Sequence, residues 1–161
     1  MVSYILKNIQ IACFKIRNEL FRWVIIMSNI VPLKIYLIIQ EKIITQTLQE
    51  FLTRLDYRVI SLQAIDELLE IFKSDSQGNV LVICEESFFR GQERSVIRKI
   101  HKQYPNILYM VITENRPIFS LKEAISFGIY GYLHKPISLA ELELLLVRLK
   151  EKARFKGDIL N

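Results

Sequence analysis

Few residues in this chain combine the type and the spacing that chemistry needs. Cys84 ends the apolar run VLVIC, and a reactive cysteine needs its pKa depressed by nearby positive charge. Lys135 could supply that charge, but Glu85 and Glu86 follow the cysteine directly and oppose it. Cys84 is therefore expected to pack as a small hydrophobe. Cys13 and Cys84 form no Cys-x-x-Cys pair and do not cluster with the two histidines, so neither a zinc site nor a disulfide framework is expected. No Gly-rich phosphate loop follows any apolar run, and no acid/base pair stands at the run ends. The chain is expected to be no enzyme and to carry no metal and no cofactor.

The elements that position these residues are legible from hydrophobic period. Lys34–Ile39, Val80–Cys84 and Ile107–Thr113 are almost wholly apolar, as in strands buried on both faces of a parallel sheet. Tyr57–Leu62 and the short Gly131–Leu133 read as two further strands. Between them, apolar residues recur at steps of three and four over Ile43–Leu55, Ala64–Phe72, Ser95–Gln103, Pro117–Phe127 and Leu139–Ala153, which predicts five helices. Gly128 suits a helix C-cap, and Ser138 followed by Glu141 suits a capping box. Lys73–Asn79 reads as a loop. Strict alternation with short connections implies an α/β fold: a doubly wound five-stranded parallel sheet with right-handed crossovers. In such a sheet, chemistry sits beyond the C-terminal strand ends, at the topological switch point. That places Ile39, Gln40 and Glu41, Cys84 to Glu86, Thr113 and Lys135 together.

The remaining features bound the functional classes. A length of 161 residues fits one domain, and 51% apolar with 24% charged residues is a globular composition. The net charge is +5, and within residues 1–33 Lys7, Lys15, Arg17 and Arg22 outnumber Glu19 by three. No dense basic stripe with interleaved aromatics follows, so direct nucleic-acid binding is not expected. The apolar run Trp23–Leu33 is too short to span a membrane. Residues 1–32 read as an N-terminal extension with a helical stripe, Ile5, Ile9, Ala12, Ile16, Leu20, Trp23 and Met27. That helix is expected to pack on its own domain, unless translation starts at Met27; a dimerisation or membrane-surface helix is the alternative. Residues 33–154 form the domain and 155–161 a tail. Cysteine usage suggests a reducing compartment, expected to be the cytoplasm, or a plastid stroma if the isoleucine-rich composition reflects an AT-rich genome.

The gapless stretch TENRPIFSLKEAISFGIYGYLHKPI, Thr113 to Ile137, resembles the receiver domain of two-component response regulators (CheY-like, flavodoxin-like fold), as does KIYLIIQEKIITQTLQEFLTRLDY from Lys34. The resemblance covers about residues 34–153. It implies that Thr113 is the family's hydroxyl residue, Tyr132 its switch aromatic, Lys135 its phosphate-pairing lysine, and Pro136 the proline after a cis peptide. It also exposes departures. The two acidic positions after the first strand read Ile39 and Gln40, and the phosphoacceptor position reads Cys84. Mg²⁺ needs carboxylate oxygens, and phosphoryl transfer to a receiver needs a carboxylate nucleophile aligned with that metal. A degenerate pocket of Ile39, Gln40, Cys84, Thr113 and Lys135 thus implies a pseudo-receiver. Glu41, Glu85 and Glu86 are expected as solvated loop carboxylates; the alternative is that one pairs permanently with Lys135.

By the same resemblance the output surface is the fourth helix, fifth strand and fifth helix. Tyr130, Tyr132 and His134 surround the short strand, and aromatics are favoured interface anchors. The last helix carries Leu139, Leu142, Leu144, Leu145, Leu146 and Leu149, more than one face can bury. The expected function is a phosphorylation-independent protein–protein signalling module, with a protein partner or homodimer on that surface. The alternative is the receiver part of a transcription regulator whose DNA-binding domain is absent from this chain.

Overall fold

The computed structural model describes residues 33–74, 78–114 and 119–158, with side chains as far as 151. The predicted N-terminal helix, Pro117 and the tail after 158 lie outside these residues. Five strands, β1 (Lys34–Ile38), β2 (Arg58–Ser61), β3 (Val80–Glu85), β4 (Ile107–Thr113) and β5 (Ile129–His134), form one sheet. Helices α1 (Lys42–Arg54), α2 (Asp66–Ser74), α3 (Glu93–Gln103), α4 (Leu121–Phe127) and α5 (Leu139–Asp158) follow them in turn. Every strand pairing is parallel and the order is β2-β1-β3-β4-β5, so the chain reverses direction across the sheet between β1 and β3. This is the doubly wound five-stranded fold the alternation predicts.

Apolar residues on both sides of each central strand bury two separate clusters. On one side Tyr36, Ile38, Val82, Cys84, Tyr109 and Val111 meet Leu68 and Phe72 of α2, Ile97 and Ile100 of α3, and Phe127 of α4. On the other, Ile35, Leu37, Leu81, Ile83, Met110 and Ile112 meet Leu48 and Leu52 of α1 and Leu142, Leu146 and Leu149 of α5. Side chains alternate across a strand, so the continuous apolar runs feed both clusters at once. A full side chain of this kind contributes about 1.5–3 kcal/mol on burial. The surplus on α5 is resolved by this geometry: Leu142, Leu146 and Leu149 go inward, Leu139 and Leu145 are half-buried, and Leu144 is exposed.

The helix ends show where local sequence acts. The Tyr57 amide donates to the Leu52 carbonyl and Asp56 to Thr53, which closes α1 with Asp56 in the left-handed region at φ +66°. The expected helix Pro117–Phe127 begins only at Leu121. Ser120 is its N-cap: the Glu123 amide donates to Ser120 Oγ, and the Ser120 amide donates to the Glu123 carboxylate. At its other end Gly128 has φ +73°, as its C-cap role requires, and a Cβ there would run into the His101 ring. At α5 the Glu141 amide donates to Ser138 Oγ, in the direction the predicted box requires. The helix continues past Ala153 to Asp158.

Two features were not foreseen. A 3-10 turn, Glu86–Phe89, follows β3 and seats Phe89 edge-on against Tyr109, Phe119 and Phe127 at centroid distances of 5.8, 5.5 and 5.5 Å. β5 is also longer than Gly131–Leu133 and carries a register shift: Tyr109 pairs with Ile129, but Met110 pairs with Gly131. Tyr130 is the extra residue. As a result Tyr130 packs with the α1/α5 cluster and Tyr132 with the α2–α4 cluster. The two tyrosines therefore face opposite sides of β5, because a single inserted residue turns them apart.

Candidate functional site

Register brings the strand-end residues together. Ile38 pairs with Cys84, Cys84 with Val111 and Val111 with Tyr132, so one row crosses β1, β3, β4 and β5 just below the C-terminal edge. The next residues form the site. The Lys135 amide donates to the Thr113 carbonyl at 3.0 Å, which fixes the start of the β5–α5 turn against the end of β4. The Lys135–Pro136 peptide is cis, as the resemblance implies.

The predicted pocket residues fall into two groups. Ile39 is 9% exposed and belongs to the α1/α5 apolar cluster, while Gln40 beside it is exposed. Cys84 is wholly buried in the opposite cluster. Burial, reinforced by the charge of Glu85, pushes its thiol far up, so it is held as the neutral small hydrophobe expected. Thr113 is 2% exposed at the end of β4. Lys135 is the centre of the polar group, its side chain 22% exposed.

Lys135 Nζ pairs with Glu41 and lies 3.5 Å from Glu114 and 3.8 Å from Glu85. The Glu41 carboxylate chiefly, with Glu85 and Glu114 assisting, raises the lysine pKa above its ordinary value. Glu85 also accepts the Gln40 amide at 3.3 Å, which ties the β1–α1 turn to the end of β3. Thr113 Oγ1 donates to Glu86 Oε2 at 3.0 Å, and Arg90 Nη2 lies 3.7 Å from the same oxygen. The expectation of solvated loop carboxylates is thus corrected for Glu85 and Glu86, whose side chains are each 12% exposed. The 3-10 turn folds Glu86 back under the strand ends instead of leaving it in a loop. Glu41 and Glu114 are exposed, but both reach the lysine. Glu114 was missed, although its place after Thr113 at a strand end was a usable signal.

Tyr132 is half-buried, and its hydroxyl is buried with no hydrogen-bond partner among the described residues. Burial, then the charge of Glu86, raises its phenol pKa. A divalent cation of the kind receivers use does not fit this donor set. Ile39 offers no oxygen, Cys84 is sealed in the core, and an ammonium occupies the space among the carboxylates. Among the described residues no group of three or more histidine, cysteine or acidic side chains could hold a metal ion.

A doubly wound sheet with an end-of-strand Thr113, a Lys135 just beyond a strand end and before a cis proline, and a half-buried aromatic between them is the arrangement that the resemblance to receiver domains implies. The model of the response regulator receiver domain matches residues 35–146, and the chain belongs to that family. Among solved structures, the signal receiver domain of an HD domain-containing protein from Pseudomonas fluorescens is 27% identical with a TM-score of 0.62, covering 81% of this chain and 93% of its own. A response regulator receiver domain protein from Clostridium thermocellum is 22% identical with a TM-score of 0.61, covering 80% and 98%. NtrX from Brucella abortus is 20% identical with a TM-score of 0.63, covering 78% of this chain but only 28% of its own. No curated protein matches the chain. Among the described residues no helix is long and apolar enough to cross a membrane.

Proposed function

We propose that this receiver signals without phosphorylation, as a protein–protein interaction module with no enzymatic activity of its own. One observation carries the reading: the three positions at which the resemblance places carboxylates hold Ile39, Gln40 and Cys84. Two of these side chains are buried in apolar clusters. Phosphoryl transfer to a receiver needs a carboxylate nucleophile and oxygen ligands for its cation. Restoring a carboxylate at Ile39 or Cys84 means placing charge inside the core, which is expensive.

The docking surface proposed is α4, β5 and α5, for a protein partner or a second copy. Leu121 and Ile125 of α4 are 79% and 66% exposed, and Leu144 and Val147 of α5 are about half exposed. Large apolar side chains left in water in this number favour a covered surface. Tyr132, on the α4 side of β5, lies toward its centre, whereas Tyr130 supports α5 from the other face.

The test is incubation of the full chain with acetyl phosphate, or with beryllofluoride and Mg²⁺, read by intact mass and amide NMR. No mass gain and no saturable shift are expected. A one-phosphoryl mass gain, or Mg²⁺-dependent shifts at Thr113 and Lys135, would remove the reading.

A further inference from the structure

The end of β3 and the 3-10 turn after it deliver two poorly hydrated carboxylates, Glu85 and Glu86, to the strand ends, and each meets a different donor. Glu86 Oε2 accepts the Thr113 hydroxyl at 3.0 Å, and Glu85 lies 3.8 Å from Lys135 Nζ. A hydroxyl and an ammonium are both donors, suited to the negative oxygens that a phosphoryl group would bring. Here both donors already face carboxylate oxygens, supplied one and two residues beyond the position where a phosphoacceptor would stand. Arg90, 3.7 Å from Glu86, holds that carboxylate from the solvent side.

We infer that Glu86 is a built-in substitute for the phosphoryl group, its carboxylate holding Thr113 toward the end of β3 and so keeping β5 and Tyr132 permanently in one arrangement. This rests on the phosphorylation-independent reading and adds the state in which the domain is fixed and the residue that fixes it. Glu86 is a positioning residue, acting on the docking face through Thr113. The route is short. Thr113 is bound through its carbonyl to the Lys135 amide and is paired with His134, two residues beyond Tyr132. The Tyr132 ring packs on the cluster that contains Val111 and Phe127, the latter at the end of α4.

Amide NMR and hydrogen exchange on the full chain test this with Glu86→Ala, Glu86→Gln, Thr113→Val and Thr113→Ser. Glu86→Ala and Thr113→Val should shift the same amides in β5 and α4. Exchange in Ile129–His134 should accelerate roughly tenfold, the loss of one charge-assisted hydrogen bond, and combining the two changes should add little. Glu86→Gln keeps an acceptor without its charge and Thr113→Ser keeps the donor, so both should perturb β5 less than Glu86→Ala and Thr113→Val; a purely local role would leave β5 unmoved in all four. Where Glu86→Ala fails to fold, Thr113→Val decides. Shifts confined to the neighbours of the substituted residue, with β5 unmoved, overturn the inference while leaving the phosphorylation-independent reading intact. Phosphorylation of the wild type overturns both.

Discussion

Replacing Ile39 by aspartate puts a carboxylate back where the resemblance expects one, and should damage the protein. Ile39 is 9% exposed and packs in the cluster that holds Leu48, Ile83 and Ile112. Truncating a buried isoleucine costs about 2–5 kcal/mol. An aspartate adds the desolvation of its charge, and the carboxylates of Glu41 and Glu85 already claim Lys135. Partial relaxation toward the exposed Gln40 side offsets some of this, which leaves a net loss of roughly 4 kcal/mol. For a domain of this size that is a fall in melting temperature of about 10–15 °C, measured by circular dichroism on the full chain. The pH dependence separates the two components. Burial raises the pKa of the new carboxyl in the folded state, so its penalty is absent below the unfolded pKa near 4 and grows as pH rises toward the folded value. The deficit should be larger at pH 7 than at pH 5, whereas Ile39→Asn should show no such trend and Ile39→Val should lose only about 1 kcal/mol. An Ile39→Asp protein that melts with the wild type at pH 7 would show that this end of the sheet is open and wet, and would refute the reasoning.

Further outcomes follow from the same geometry. Gly128→Ala should lose roughly 2–4 kcal/mol in denaturant melts, from its left-handed φ and from the collision with His101; a loss below 1 kcal/mol would mean that the ring moves freely. Lys135→Met should lose about 1–2 kcal/mol at neutral pH, discounted for partial exposure. Because the folded lysine pKa is raised, the wild type should keep that margin below the unfolded value near 10 and lose it as pH rises through the folded one. In a Cys13→Ser background, Cys84 should resist iodoacetamide until the chain unfolds, since burial holds it as a thiol; rapid labelling of the native protein would contradict the sealed core. Charge introduced at Ile125 and Leu144 should abolish association through α4, β5 and α5 without lowering the melting temperature, while deletion of residues 1–26 should leave association intact; sedimentation of both variants checks the docking face.

The sequence by itself determined the fold, because continuous apolar runs buried on both faces allow only a parallel sheet covered by helices, and alternation fixed the order of its parts. It also brought Ile39, Cys84, Thr113 and Lys135 to one edge, since the first three end runs and Lys135 follows one closely. Local chemistry was legible where it depends on a few neighbours: the Gly128 cap and the Ser138–Glu141 start of α5. The start of α4 at Leu121 was not, because Ser120 and Glu123 satisfy each other in a box that outweighs the apolar spacing upstream. Tertiary structure decided the rest. Whether Glu86 is a loop carboxylate or the acceptor of the Thr113 hydroxyl depends on a 3-10 turn that packs Phe89 against Tyr109, residues distant in sequence. The opposite facing of Tyr130 and Tyr132 depends on pairing between β4 and β5, because a bulge is a property of two strands and leaves no periodic mark in either one.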